Sequence, residues 1–193
     1  EVFDLEVNEK ELELPGLTAE LDGLSIAHLS DFHFEGTVRR EYFERIVEIA
    51  VGWDADFAAL PGDLVDAAEW LDWIASTLGR LRSRRGVFFI LGNHDLKVGD
   101  VGRLRRALCE EGLIDLGGRA ARYDELSQTV ELAGNELPWF TPAGDFRRVE
   151  AERTVEDEED VRPLRIVLAH CPDQFGWARR FGADLMLAGH THG

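Results

Sequence analysis

The chain has 193 residues, of which 45% are hydrophobic, and this is enough to bury one substantial core without covalent crosslinks. Its two cysteines, Cys109 and Cys171, lie too far apart in sequence to indicate a zinc ribbon or a dense disulfide framework. The 38 acidic residues outnumber the 21 basic ones and give a formal charge of -17, which disfavours a general nucleic-acid binder.

The first half of the chain shows three cycles of strand, loop and helix. Short apolar runs predict buried strands, and apolar residues at helical spacing predict a helix after each strand. The strands are predicted at 24–29, 57–60 and 87–91, and the helices at 38–49, 70–78 and 101–110. This alternation favours a parallel sheet with helical crossovers, in which ligands bind at the carboxyl ends of the strands.

The second half of the chain shows shorter strand-like segments. Strands are predicted at 113–116, 121–123 and 129–133, and after them a strand at 164–169, a helix at 174–181 and a strand at 184–188. The first three indicate a second sheet, antiparallel or mixed. The segment 152–160 is rich in acids and poor in apolar residues, so we interpret it as a solvated loop and not as a site.

Side chains that can bind metal follow the predicted strands at the point where each strand ends. They are Asp31, His33, Asp63, Asn93, His94, His170, His190 and His192. A single histidine after a strand is more often exposed or hydrogen-bonded than a ligand, and Gly-Asp after Pro is an ordinary turn. Five of the six histidines share this position, however, and the joint pattern favours one pooled site at the edge of a sheet.

The residue types at this edge indicate the kind of metal. Imidazole nitrogen mixed with carboxylate and amide oxygen suits manganese, iron, zinc or cobalt better than calcium. The absence of thiolates from the set argues against a structural zinc site. Two such ions about 3.5 to 4 Å apart can hold the attacking and leaving oxygens of a phosphoryl transfer, with a carboxylate such as Asp63 between them.

Five motifs, in this order, resemble the motif set of the calcineurin-like metallophosphoesterases. They are Asp31-Phe32-His33, Gly62-Asp63-Leu64-Val65-Asp66, Gly92-Asn93-His94-Asp95, Ala169-His170 and Gly189-His190-Thr191-His192. The sequence around the first and fourth motifs is similar to a bacterial branch of membrane- or wall-associated phosphodiesterases and UDP-2,3-diacylglucosamine pyrophosphohydrolases. The resemblance implies an α/β fold, a four-layer αββα sandwich of two mixed sheets flanked by helices, with the metal site at the carboxyl ends of the strands.

The resemblance also implies a role for each residue of the set. It assigns Asp31, His33 and His192 to one ion, Asn93, His170 and His190 to a second, and Asp63 as a bridge between the two divalent transition metal ions. Manganese is the preferred ion, with iron, zinc or cobalt as alternatives.

The two catalytic residues implied are His94 and Asp66. His94 would protonate the leaving oxygen, and Asp66 would orient His94, although a helix N-cap is an alternative role for Asp66. Asp95 is expected to be a structural hydrogen-bond partner, and His28 is expected to be a core residue of the first strand.

The implied activity is hydrolysis of a phosphodiester or pyrophosphate by metal-activated hydroxide. The substrate would be a small phosphate ester, with a lipid or a nucleotide sugar attached in the related branch. Five aromatic residues either form an apolar binding face or, as we favour, pack in the core: Trp70, Trp73, Trp139, Phe140 and Trp177. Two alternatives stay open, a catalytically silent scaffold that binds a protein partner and a nuclease, and the acidic composition disfavours the nuclease.

The domain organisation and the cellular location can also be predicted. We expect one metallophosphoesterase domain over residues 1–193 that lacks a C-terminal portion, because the chain stops directly after a histidine-rich motif. No apolar run approaches the roughly 18 to 20 residues of a membrane-spanning helix. The resemblance to the bacterial branch implies a bacterial protein that is either cytoplasmic or peripherally associated with a membrane.

Overall fold

The computed structural model describes residues 5–124, 126, 128–150 and 161–192. The segment interpreted from its composition as a solvated loop, 152–160, lies outside the described residues. The described chain forms two four-stranded sheets that pack face to face, with helices against their outer faces. The predicted α/β fold of two packed sheets with flanking helices is therefore confirmed.

The first sheet is parallel throughout its described strands. Strands β1 (Ile26–His28), β2 (Phe57–Pro61), β3 (Gly86–Ile90) and β4 (Ile114–Asp115) lie side by side in that order. Helices α1 (Arg40–Gly52), α2 (Trp73–Ser76) and α3 (Val101–Glu110) connect them. Parallel pairing brings the carboxyl ends of β1, β2 and β3 to one edge.

The second sheet is mixed. Strands β5 (Ala120–Tyr123), β6 (Val130–Asn135), β7 (Leu164–Ala169) and β8 (Leu185–Leu187) lie in that order. The pair β5 and β6 is antiparallel, whereas β6, β7 and β8 are parallel to one another. Helices α4 (Arg147–Glu150) and α5 (Phe175–Arg180) belong to this half, and 3-10 turns occupy Ala19–Leu21, Ala68–Trp70, Leu78–Arg80, His94–Val98 and Pro172–Gln174.

The central strands are buried on both faces, which explains their continuous apolar sequences. Side chains of β2 and β3 alternate, so that Phe57 and Phe88 pack with Ile166 of the second sheet. Leu60 and Phe89 point the other way and pack in the cluster that includes residues of α1 and α3. A slip of one residue in either strand would exchange the side chains between the sheets with those that pack against the helices.

Two predicted elements differ from the structure. The strand predicted at 113–116 belongs to the first sheet, where Ile114 pairs with Phe88, and not to the second sheet. The helix predicted over 70–78 is broken into α2 and two 3-10 turns. The Thr77 hydroxyl donates to the Trp73 carbonyl at 2.7 Å, and such side-chain bonds compete with the helical backbone.

The position of His28 also differs from the prediction. His28 lies at the end of β1, on the edge of the first sheet, and is exposed, so the expectation that it is a core residue is wrong. Among the described residues, none of the helices combines the length and the apolar character that crossing a bilayer requires.

Candidate metal centre

The predicted ligands lie on loops at the carboxyl ends of five strands, drawn from both sheets. Asp31 and His33 follow β1, Asp63 follows β2, Asn93 follows β3, His170 follows β7, and His190 and His192 follow β8. The His190 backbone N–H donates to Oδ1 of Asp31 at 3.0 Å, which joins the loop after β8 to the loop after β1. The structure thus brings all seven side chains to one edge of the sandwich.

Three of these side chains form a first group. Nε2 of His33 and Nε2 of His192 are 3.1 Å apart, and Oδ1 of Asp31 lies 3.7 Å from Nε2 of His192. The three residues offer ligand atoms that lie within 4.8 Å of one another. This spacing is suited to a single cation.

A second group lies beside the first and shares a carboxylate with it. Nε2 of His170 is 3.2 Å from Nδ1 of His190, 3.1 Å from Oδ1 of Asn93 and 3.2 Å from Oδ2 of Asp63. The same Oδ2 of Asp63 is 3.7 Å from Nε2 of His33 in the first group. Asp63 therefore faces both groups, which is the position that a bridging ligand needs.

Hydrogen bonds on the far side of two rings decide which ring nitrogens can bind metal. Nδ1 of His170 lies 2.8 Å from the Pro61 carbonyl oxygen, which can only accept, so Nδ1 carries the hydrogen and Nε2 presents a lone pair. Nδ1 of His33 is held in the same way, 2.9 Å from Oδ1 of Asp66. Two lone-pair nitrogens and a shared carboxylate fit divalent transition metal ions.

The charge state of Asp63 is also suited to binding a divalent metal ion. Burial would raise the pKa of Asp63, but the polar contact with the His170 ring and the hydrogen bond from the His94 backbone N–H lower it below its ordinary value. The carboxylate is therefore ionised near neutral pH and can act as a ligand.

Asp66 joins the ligands to the predicted proton donor. Its Oδ1 bonds to His33, while its Oδ2 lies 2.8 Å from Nδ1 of His94 and 2.8 Å from Nζ of Lys97. Burial would raise the pKa of Asp66, but hydrogen bonds from Lys97, His94 and His33 lower it to about 2. The alternative role as a helix N-cap is wrong, because Ala67 caps the following turn.

The backbone at the ligands adopts conformations that few residues other than glycine adopt. Positive φ angles at non-glycine residues are uncommon and strained, and they concentrate at functional sites. Six such residues occur in the described chain, and five of them are predicted ligands. The five are Asp31 (57°), His33 (45°), Asp63 (54°), His190 (73°) and His192 (57°).

Comparison with known proteins identifies the family. The family model described as calcineurin-like phosphoesterase matches residues 24–193, which is most of the chain. The chain belongs to the calcineurin-like phosphoesterase family.

Curated relatives of this calcineurin-like phosphoesterase come from bacteria and vertebrates. The transmembrane protein with metallophosphoesterase domain of Danio rerio is 30% identical over 189 residues, which are 94% of this chain and 43% of that protein. The phosphodiesterase YaeI of Escherichia coli is 28% identical over 172 residues, which are 87% of this chain and 60% of that protein. The chain therefore spans less than two thirds of the length of either relative.

A solved structure shows the same fold. The crystal structure of phosphopantetheinyl hydrolase (PptH) from Mycobacterium tuberculosis matches with a TM-score of 0.56 and 15% sequence identity. The match covers 87% of this chain and 83% of that chain. At this identity the likeness concerns the fold alone.

A buried carboxylate holds the loops after β2 and β3 of this phosphoesterase together. Asp95 accepts hydrogen bonds from the backbone N–H groups of Asp63, Leu64, Val65 and Gly92, at 2.8 to 3.0 Å. Burial raises its pKa to about 6. The structural role that the sequence predicted for Asp95 is confirmed, because its bonds fix the backbone that carries predicted ligands.

Of two further residues beside the site of this family member, Lys97 was not predicted there, and for Trp139 we favoured the core over a binding face. Lys97 contacts His94 and Asp66, and its position three residues after His94 was the only sequence signal. Trp139 lies with its ring centre 5.5 Å from that of His170 and 5.9 Å from that of His190. The other four aromatic residues, Trp70, Trp73, Phe140 and Trp177, pack in hydrophobic clusters as we favoured.

The position of His94 is compatible with two roles, a proton donor and a metal ligand. It lies beside Asp66, as predicted for a proton donor, with about a third of its side chain exposed. Its ring also falls within 4.8 Å of ligand atoms of His33 and Asp63, so this trio is a third group that could hold a metal ion. A measurement of bound metal can separate the two roles.

Proposed function

We propose that this chain hydrolyses a phosphodiester or a pyrophosphate with the help of two divalent metal ions. The observation that carries the proposal is the pair of ligand groups that share Oδ2 of Asp63. Membership of the calcineurin-like phosphoesterase family and the phosphodiesterase named among its relatives support it. The mixture of imidazole, carboxylate and amide ligands favours manganese, with iron, zinc or cobalt as alternatives.

Seven side chains would hold the two ions in the proposed reaction. Asp31, His33 and His192 would hold one ion, Asn93, His170 and His190 the other, and Asp63 both. When bound, the two ions would supply an acidified water molecule and neutralise charge on the phosphate.

His94 is the proton donor of the proposed reaction. Nδ1 of His94 is 2.8 Å from Asp66, and its Nε2 has no hydrogen-bond partner in the part of the chain that the structure describes. Nε2 is therefore available to donate a proton to the oxygen that leaves phosphorus, while Asp66 keeps the ring in place. No covalent link between enzyme and substrate is required.

The test replaces the shared carboxylate. We expect Asp63→Asn to lose bound metal and to lower turnover of a generic aryl phosphodiester to background, because one substitution weakens both ligand groups. Elemental analysis of dialysed protein and steady-state kinetics measure the two effects. Asp72→Asn is a matched control, since Asp72 is exposed and caps no helix with its side chain. An Asp63→Asn protein with the parent metal content and the parent rate would show that the proposal is wrong.

A further inference from the structure

Lys97 brings a positive charge to the mouth of the candidate site. Its Nζ lies 2.8 Å from Oδ2 of Asp66 and 2.6 Å from Nδ1 of His94, and half of its side chain is exposed. Among the described residues, no other lysine or arginine pairs its charged group with a predicted ligand, with Asp66 or with His94. The chain has one other lysine, Lys10, which is exposed in the segment before β1.

The ammonium group of Lys97 keeps at least one donor free. It has three N–H donors, and only Asp66 and His94 lie within reach in the part of the chain that the structure describes. Nδ1 of His94 carries either a hydrogen or a lone pair, so it bonds either to Asp66 or to Lys97 at one time. One or two donors of Lys97 are therefore available to a ligand.

The side of the site on which Lys97 lies indicates which part of a substrate it would meet. His94 is the proposed donor to the leaving oxygen, and Lys97 contacts the ring of His94 directly. A free ammonium donor there would make a charge-assisted hydrogen bond to an anionic leaving group. The leaving group of an alkyl phosphodiester is an alcohol, which carries no negative charge for Lys97 to bind before its bond to phosphorus breaks.

We propose that Lys97 binds an anionic leaving group, and that the preferred substrate is a pyrophosphate diester in which the broken bond joins two phosphates. This inference rests on the proposed function and narrows its substrate class. Water adds across the bridge: its oxygen bonds to one phosphorus, and the bridging oxygen leaves with the bonding electrons on the other phosphate. The products are two phosphate monoesters, and a proton of the water passes to solvent.

The kinetic test compares two substrates that share a nucleoside 5′-phosphate. One is a pyrophosphate diester of the nucleotide, and the other is its methyl phosphodiester. We expect Lys97→Met to lower kcat/KM for the pyrophosphate by roughly 10- to 100-fold and to lower that for the methyl diester much less, because one charge-assisted hydrogen bond is lost. Lys97→Arg should restore most of the loss. Lys10→Met is the matched control and should behave as the parent.

His94→Ala provides the opposite pattern. A departing phosphate is a weak base and needs little protonation, whereas a departing methoxide needs a proton, so His94→Ala should impair the methyl diester more. If Lys97 only supports Asp66 and His94, Lys97→Met will copy the pattern of His94→Ala. An equal loss for both substrates, or that copied pattern, would overturn the inference.

A binding experiment decides the inference independently of turnover. Protein labelled with ¹³C at the lysine ε-carbons gives two side-chain signals, which Lys10→Met assigns. Zinc-loaded protein titrated with adenosine 5′-monophosphate should move the Lys97 signal and leave the Lys10 signal in place. Saturation without any movement of the Lys97 signal would refute anion binding there. If the parent hydrolyses neither substrate with any of the four metals, the proposed function fails, while this titration still tests Lys97.

Discussion

Two carboxylates at this site, Asp63 and Asp66, each contact more than one functional group. Oδ2 of Asp63 faces both ligand groups, while its Oδ1 accepts the backbone N–H of His94 at 2.8 Å. Asp66 likewise contacts the predicted ligand His33 with one oxygen and the proposed proton donor His94 with the other. We therefore expect a change at either carboxylate to affect metal binding and proton transfer together, and variants at His94 to separate these effects better.

At the residue scale, we expect His94→Ala to keep both metal ions and to lose turnover. The loss should be roughly 10²- to 10⁴-fold for alkyl esters, which is the usual contribution of a general acid. Aryl esters should lose less, because their leaving groups depart without protonation. Elemental analysis and rates for a matched pair of alkyl and aryl diesters provide the measurement. Loss of one metal equivalent would instead make His94 a ligand, with His33 and Asp63 as its partners.

At the scale of elements, the loop after β3 passes unusually close to ligands from other strands. A Cβ atom at Gly92 would lie 2.7 Å from Nε2 of His170 and would overlap Oδ1 of Asp63. The backbone N–H of Gly92 also donates to Asp95, so the loop cannot move away without breaking that bond. Glycine is needed here for space and not for a positive φ angle.

We therefore expect Gly92→Ala to fold but to bind metal poorly. Overpacking should lower the free energy of unfolding by about 1 to 3 kcal/mol, while displacement of Asp63 and His170 should reduce the bound metal. Chemical denaturation and elemental analysis measure the two effects. Gly52→Ala is the matched control, since a Cβ atom there meets nothing within 4 Å. A Gly92→Ala protein with the parent metal content would show that the contact is not restrictive.

At the scale of the molecule, the candidate centre joins the two sheets. Loops after β1, β2 and β3 supply Asp31, His33, Asp63 and Asn93, and loops after β7 and β8 supply the other three predicted ligands. Because an ion held by both sheets binds the folded chain and not the unfolded one, it should stabilise their packing. A scaffold without metal would gain nothing in this way.

Metal should therefore raise the melting temperature of protein that has been stripped with a chelator. At a concentration of 100 times Kd the stabilisation is about 2.7 kcal/mol, which corresponds to about 5 to 10 °C for a chain of this size. Differential scanning calorimetry with manganese and with zinc provides the measurement, and Asp63→Asn is the comparison that should not respond. A parent protein with no response and no bound metal would support the silent scaffold.

Local features of the sequence were sufficient to find most of the strands and the set of candidate ligands. Each candidate ligand follows an apolar run that forms a strand, and parallel pairing then brings those strand ends to one edge. The motif order also indicated Asp66 beside His94, and the structure adds that Asp66 contacts His33 as well. The metal roles themselves stay predictions, as does the organisation of residues 1–193 as one domain.

Sequence by itself determined which side chains are candidates for the chemistry, because residue type and position relative to apolar runs are local properties. Tertiary structure alone decided that Ile114 pairs with Phe88, that Lys97 reaches Asp66 and that Trp139 lies against His170. These are contacts between residues 26 to 31 positions apart, and their formation depends on how whole sheets and loops pack, which no local pattern encodes.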